Sequence, residues 1–208
     1  MTTIVLVRHG ETEWNRVERF RGRVDVPLNL NGQRQAVATA KFIRTLWRPA
    51  AVYSSPLTRA VQTALPIAAQ SGLSIKTLPD FIDLDYGEWQ GHTVEEVKMR
   101  WHETYFLWQR APHTVRIPGG ETLEELRERG MTALYKLIQL HKGETIVIVG
   151  HQDLNRAILI SLLNLGLNHF WSIQQNNCAI NRIVSANGDD RVNVISINET
   201  AHLVDKVN

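Results

Sequence analysis

A chain of 208 residues with 43% apolar side chains is long enough to bury a full core and has the size of one domain, read here as spanning 1–208. A formal net charge of +2 without a long run of lysine or arginine demands no nucleic-acid partner and no membrane surface, so any basic chemistry has to be local. The one cysteine, Cys178, excludes an internal disulfide, CxxC is absent, and no basic leader or apolar run of roughly 20 residues opens or crosses the chain, so a soluble cytoplasmic protein is expected.

The first element is "TIVLVR" (3–8), apolar on both faces as a central parallel strand requires. The cap-like "NLNG" then opens a helical pattern from Asn31 to Trp47, followed by a second buried strand, "AAVYSS" (50–55), and a helix from Leu57 to Ser71. From about 80 to 118 the rhythm breaks. Trp, Tyr, Phe and His mix with acids and end in Pro-Gly-Gly, which is read as an insertion over the site. Helical periodicity returns in "GGETLEELRERGMTALYKLIQL", where Thr122 and Glu125 have the spacing of a capping box. A third strand, "TIVIVG" (145–150), follows, and two further β patterns, "NCAINRIVSA" and "RVNVISI", flank "NGDD" with the composition of a hairpin loop. Strand, helix, strand, helix implies an α/β chain with a mostly parallel, doubly wound sheet.

Ligands of open parallel sheets sit beyond the carboxyl ends of the strands. Two of the three buried strands end there in histidine, His9 in "LVRHG" and His151 in "IVGHQ". If those strands are neighbours, both imidazoles face one crevice. Arg8 beside His9, and Arg59 just past the second strand, turn that crevice toward an anion, since the planar guanidinium fork suits bidentate phosphate binding. A phosphomonoester needs positive charge on its nonbridging oxygens, an in-line nucleophile and an acid for the departing oxygen. Two arginines, two histidines and a nearby carboxylate meet that need. A metal site competes for the same histidines and acids, but flanking arginines disfavour a bound cation and HExxH is absent, so neither metal nor cofactor is expected.

The ordered set "RHGETEWN", "GRVDVPLNLNG", "SSPLTRAVQTA", "DYGEWQG", "PGGETL" and "VGHQDLNRAIL" resembles the motifs of the histidine phosphatase superfamily, in the branch with phosphoglycerate mutases and small phosphatases. The resemblance implies a three-layer α/β/α fold with a helical lid and metal-free catalysis through a phosphohistidine. It further implies His9 as nucleophile, Arg8, Arg59 and His151 as the cationic pocket, Asn15 as a phosphate ligand, and Arg21 with Gly22 at a substrate-contacting position. An arginine at 21 is not the family's usual residue, and a solvated loop charge is its other reading.

The proton donor departs from the pattern. Where such proteins commonly carry glutamate, "DLDYGEWQG" places Asp83, shorter by one methylene and hence by roughly 1.5 Å of reach. Either the loop moves inward or the acid is weaker, and Glu88 and then Asp85 are the rivals. A second departure, "VGHQD", puts Gly150 where serine is frequent and Gln152 where the family has a small residue. The Gln152 amide is able to reach phosphate, or the residue simply starts a helix.

Mutases of the superfamily it resembles are typically longer after the acid motif, so the resemblance and the shortness of this chain there together imply a phosphatase acting on a small phosphorylated metabolite over a phosphoglycerate mutase, because a phosphohistidine exposed to water hydrolyses. A noncatalytic phosphate-binding protein is the reading from another class, supported only by Asp83. Trp101, Tyr105, Phe106 and Trp108 either recognise a leaving group or form the lid's own core, and Arg110, His113 and Arg116 either read a second anionic group or are solvated. "PHTVRIPGGETL" and "FWSIQQNN" are similar to metal-independent phosphoserine phosphatases, but Tyr86 stands where that subgroup has histidine, which leaves the substrate open. The last strands are able to support a homodimer.

Overall fold

A computed structural model describes residues 1–186 and 191–203 of the chain. In chain order the elements are β1 (Thr2–Arg8), α1 (Glu13–Arg16), α2 (Leu30–Leu46), β2 (Ala51–Ser54), α3 (Thr58–Ser71) and β3 (Ile75–Thr77), then α4 (Val94–Arg100), α5 (His102–Arg110) and α6 (Leu123–Leu140), then β4 (Thr145–Gly150), α7 (Gln152–Leu162), β5 (Ile180–Ser185) and β6 (Val192–Glu199). The expected "NGDD" loop, 187–190, lies outside the described residues.

Local chemistry explains the helix boundaries. The Asn29 side chain accepts from Gly32 N–H at the start of α2, and Gly72, at φ +66°, ends α3 in a left-handed turn. Thr122 and Glu125 form the anticipated capping box on α6, and Thr93 with Glu96 forms a second one on α4.

The six strands form one sheet in the order β3-β2-β4-β1-β5-β6. β1, β2, β3 and β4 pair in parallel, while β5 runs antiparallel to β1 and β6 antiparallel to β5. A mostly parallel sheet is therefore observed, with an antiparallel edge that the last two β patterns supply. The pleat of β1 sorts its side chains into two cores. Val5 and Val7 pack with Ala40 and Ile43 of α2 and Ala60, Ala64 and Ile67 of α3 on one face. Ile4 and Leu6 face Leu126 and Leu134 of α6 and Ile158 of α7 on the other. The sheet is thus the middle of three layers. β3 escaped the sequence reading because "IKT" is only three residues long at the sheet edge, half-exposed to exposed, and carries a lysine.

The segment between β3 and α6 belongs to the second core. Phe81, Leu84, Tyr86, Trp89, Val97 and Trp108 are buried together with residues of α6 and α7. Among the described residues, no helix is long and apolar enough to cross a membrane.

Candidate active site

β1 and β4 are adjacent, with Arg8 opposite Gly150 in the register, so the residues that follow both strands emerge side by side. This fulfils the condition set by the sequence. The His9 and His151 rings lie 5.2 Å apart between centroids, both fully buried. His9 Nδ1 donates to its neighbour's carbonyl, Gly10 O, at 2.7 Å, while Nε2 has no hydrogen-bond partner among the described residues. The ring is therefore held in the tautomer that leaves the Nε2 lone pair free. The His9 carbonyl is itself pinned by Cys178 N–H and by the Asn177 side chain, both at 3.2 Å.

Each of the other pocket residues has its own scaffold. Arg8 donates to Gln175 O at 2.5 Å, and Gln175 exchanges two amide hydrogen bonds with Asn181, which also donates to Leu6 O of β1. Arg59, in the first turn of α3, donates to Val24 O at 2.8 Å and Gly22 O at 2.6 Å, and its Nη2 lies 3.2 Å from Asp83 Oδ2. His151 shares a 2.7 Å hydrogen bond between Nε2 and Ser55 Oγ, and its Nδ1 is 3.5 Å from Asp83 Oδ2. Burial first, and the Arg59 cation next, hold both histidines well below the ordinary imidazole pKa, so both are neutral near pH 7. Burial, with Arg21 second, lowers Arg8 to about 9, which still leaves it cationic at neutral pH.

A cavity of about 290 Å³ opens beside these residues and is lined by Asn15, Arg19, Arg21, Gly22, Asp83, Tyr86, Gln152 and Asp153, among others. Asp83 links it to the histidines, since it touches both Arg59 and His151. Gly22 sits at φ +49°, and a Cβ there would come within 2.5 Å of Gln90 Oε1, so its carbonyl reaches Arg59 from a conformation glycine alone adopts without strain. Asn15 is oriented by its side-chain oxygen, which accepts from Thr12 N–H and Oγ1 at 2.9 Å each. Arg21 has a buried Nε without a partner among the described residues.

Asp83 is buried, and its Oδ1 accepts from Leu84 N–H at 3.0 Å, leaving Oδ2 turned toward Arg59 and His151. Burial, and then the nearby Asp153 carboxylate, raise its pKa to about 6 against the opposing pull of Arg59. The rivals lie elsewhere. Glu88 is exposed, and Asp85 pairs with Arg23 at 3.2 Å and accepts from Gly87 N–H.

The structure does not bring every candidate together. Trp108 is buried in the core, against Trp89 and Phe170, so it packs with the body of the protein, beyond the 80–118 segment alone. Phe106 is exposed, with Arg110 stacked over its ring at 4.3 Å. Arg116 pairs with Glu125 at 2.6 Å, and His113 is exposed. None of these lines the cavity. Sequence reasoning missed Ser55, the partner of His151, and Asp153, which accepts from Tyr86 OH at 2.8 Å and pairs with Arg156 at 3.3 Å. Both fall inside motifs already singled out, Ser55 as the second residue of "SSPLTRAVQTA" and Asp153 two residues past His151, where a polar residue at a ligand-facing strand end was the available signal. Among the described residues, no three His, Cys, Asp or Glu side chains converge as metal ligands.

Comparison with known proteins agrees with this geometry. The profile of the histidine phosphatase superfamily (branch 1) matches residues 4–198. The chain is 36% identical to phosphoserine phosphatase 1 of Hydrogenobacter thermophilus over 98% of its own length and 95% of the relative's. It is 39% identical to a metal-independent phosphoserine phosphatase of Arabidopsis thaliana over 78% of this chain and 69% of that protein. The crystal structure of an Entamoeba histolytica phosphoserine phosphatase variant in complex with phosphoserine superposes with a TM-score of 0.83, 28% identity, and coverage of 98% of this chain and 100% of that one.

Proposed function

This chain belongs to branch 1 of the histidine phosphatase superfamily, and from that premise we propose how its residues divide the work of a phosphatase. It is a phosphomonoester hydrolase whose chemistry runs through a phosphohistidine without metal. His9 is the nucleophile. The observation that carries this reading is the buried Nε2 of a ring whose Nδ1–H is tied to Gly10 O, a lone pair without a partner among the described residues.

Arg8, Arg59 and His151, with Asn15, hold the nonbridging oxygens as Nε2 attacks phosphorus. Arg21 and Gln152 extend that contact along the cavity wall. Asp83 donates its proton from Oδ2 to the departing alkoxide as the P–O bond breaks, and a pKa raised to about 6 keeps a useful fraction protonated. The resulting carboxylate takes a proton from water as the water oxygen attacks phosphorus. The P–N bond breaks, phosphate leaves, and His9 is regenerated with Asp83 protonated again.

A cavity of about 290 Å³ lies at the small end of ligand pockets and supports a small metabolite rather than a phosphoprotein. Arg19 and Arg21 on its wall suit a second anionic group near the phosphate. Phosphoserine is the first ester to test, because two relatives carry that activity in their names. Tyr86 nevertheless gives its hydroxyl to Asp153, so it contributes here through that carboxylate. The test is phosphate release from a panel of small phosphomonoesters in the presence of a chelator, comparing wild type with His9→Ala and Asp83→Asn. Turnover that survives chelation and vanishes with His9→Ala supports the mechanism; metal-dependent turnover, or activity retained by His9→Ala, rejects it.

A further inference from the structure

The proton donor sits on an irregular segment, yet one side chain from another element fixes that segment's backbone. Arg129 of α6 uses all five N–H bonds of its guanidinium. Nη1 donates to Asp80 O and to Ile82 O, both at 2.7 Å, and Nη2 donates to Asp83 O at 3.0 Å. The remaining two bonds, Nε to Glu121 Oε1 at 2.7 Å and Nη2 to Glu121 Oε2 at 2.9 Å, lock the fork against a bidentate carboxylate. Glu121 closes the arrangement, since its own N–H donates to Asp85 O at 2.9 Å and its Oε2 accepts from Asp85 N–H at 3.3 Å. The backbones touch as well: a Cβ on Gly87 would lie 2.2 Å from Pro118 O, and one on Gly120 would lie 2.4 Å from Asp85 O.

We infer that Arg129, held by Glu121, is the positioning residue of the proton donor, drawing the segment that carries Asp83 toward α6 so that a side chain one methylene short of glutamate presents Oδ2 to the leaving group. The inference rests on the reading of Asp83 as the acid. With Asp83 O fixed by Arg129 and Oδ1 fixed by Leu84 N–H, the orientation of Oδ2 is determined from both ends. A lysine at 129 preserves the charge but has one point of donation in place of a planar fork, so it cannot hold three carbonyls and a carboxylate at once.

The deciding experiment measures kcat and KM for an alkyl phosphomonoester and for 4-nitrophenyl phosphate, whose leaving group departs without protonation. The proteins compared are wild type, Arg129→Lys, Glu121→Gln, Asp83→Asn and the Arg129→Lys/Asp83→Asn double variant. Misplacing the acid should lower kcat for the alkyl ester by on the order of 10²-fold while the nitrophenyl ester loses less than about threefold and KM moves little. In the Asp83→Asn background the lysine should cost almost nothing further, because the group it positions is already gone. Equal losses on both esters for Arg129→Lys and Glu121→Gln, with Asp83→Asn still selective, would assign Arg129 a purely structural role and overturn the inference alone. Absence of leaving-group selectivity in Asp83→Asn itself would instead remove the acid assignment, and this inference with it.

Discussion

The two walls of the site are built by different physics. On one side Arg8, His9 and His151 occupy the ends of adjacent parallel strands, where the β1–β4 register places them, the Gly10 carbonyl fixes the His9 ring and the Ser55 hydroxyl fixes that of His151. On the other, Asp83 sits on an irregular segment whose place is set by side chains from elsewhere, chiefly Arg129 and Glu121. The first wall inherits its precision from the sheet, which the whole core supports. The second depends on a few long-range polar bonds. It is also the wall whose charge state changes near neutral pH, because both histidines stay neutral while Asp83 titrates at about 6.

The sharpest way to break the comparison is at the nucleophile. If His9 is the nucleophile as proposed, His9→Ala should abolish turnover on every ester, by at least about 10³-fold, since the covalent step loses its acceptor. Rapid-quench detection of acid-labile phosphoenzyme should be positive in wild type and negative in this variant.

Asp83→Asn should be severe but selective, lowering kcat for alkyl esters by roughly 10²–10⁴-fold and sparing esters with good leaving groups. A loss independent of the leaving group would mean that Asp83 serves the pocket and not the proton transfer.

The pH profile separates the walls further. In the proposed mechanism the required form of Asp83 is the acid, present below its pKa and lost above it, so log kcat/KM should descend as pH rises through about 6. The neutral form of His9 is required, and its lowered pKa places the ascending limb well below the ordinary imidazole value. Asp153→Asn removes the negative charge that helps raise Asp83, so the descending limb should shift to lower pH, while the asparagine oxygen still accepts from Tyr86 OH. A shift in the opposite sense would mean that Asp153 acts on Asp83 by some route other than its charge.

The smallest effect is expected at the exposed rival. Glu88→Gln should leave kcat within about twofold, as for a surface substitution remote from the chemistry. A loss matching that of Asp83→Asn would transfer the acid role to Glu88 and require the segment to rearrange on binding substrate.

Much of the first wall was written in the sequence. Short, doubly apolar runs ending in Arg-His-Gly and Gly-His-Gln specify buried parallel strands with polar ends, and strand ends are where such sheets bind ligands. Capping chemistry fixed the start of α6 for the same reason: Thr122 and Glu125 interact within one turn. Local rules of this kind act over a few residues, so they survive in a linear reading. Tertiary structure alone decided that β4 inserts between β1 and β2 and so brings the histidines together, that Trp108 packs inward while Arg116 turns to Glu125, and that Asp83 rather than Glu88 faces the cavity beside Arg59 and His151. The reason lies in sequence separation: Arg129 reaches Asp83 across 46 positions, and Arg59 reaches it across 24. Neither spacing has a period or a motif, and only folding converts it into distance.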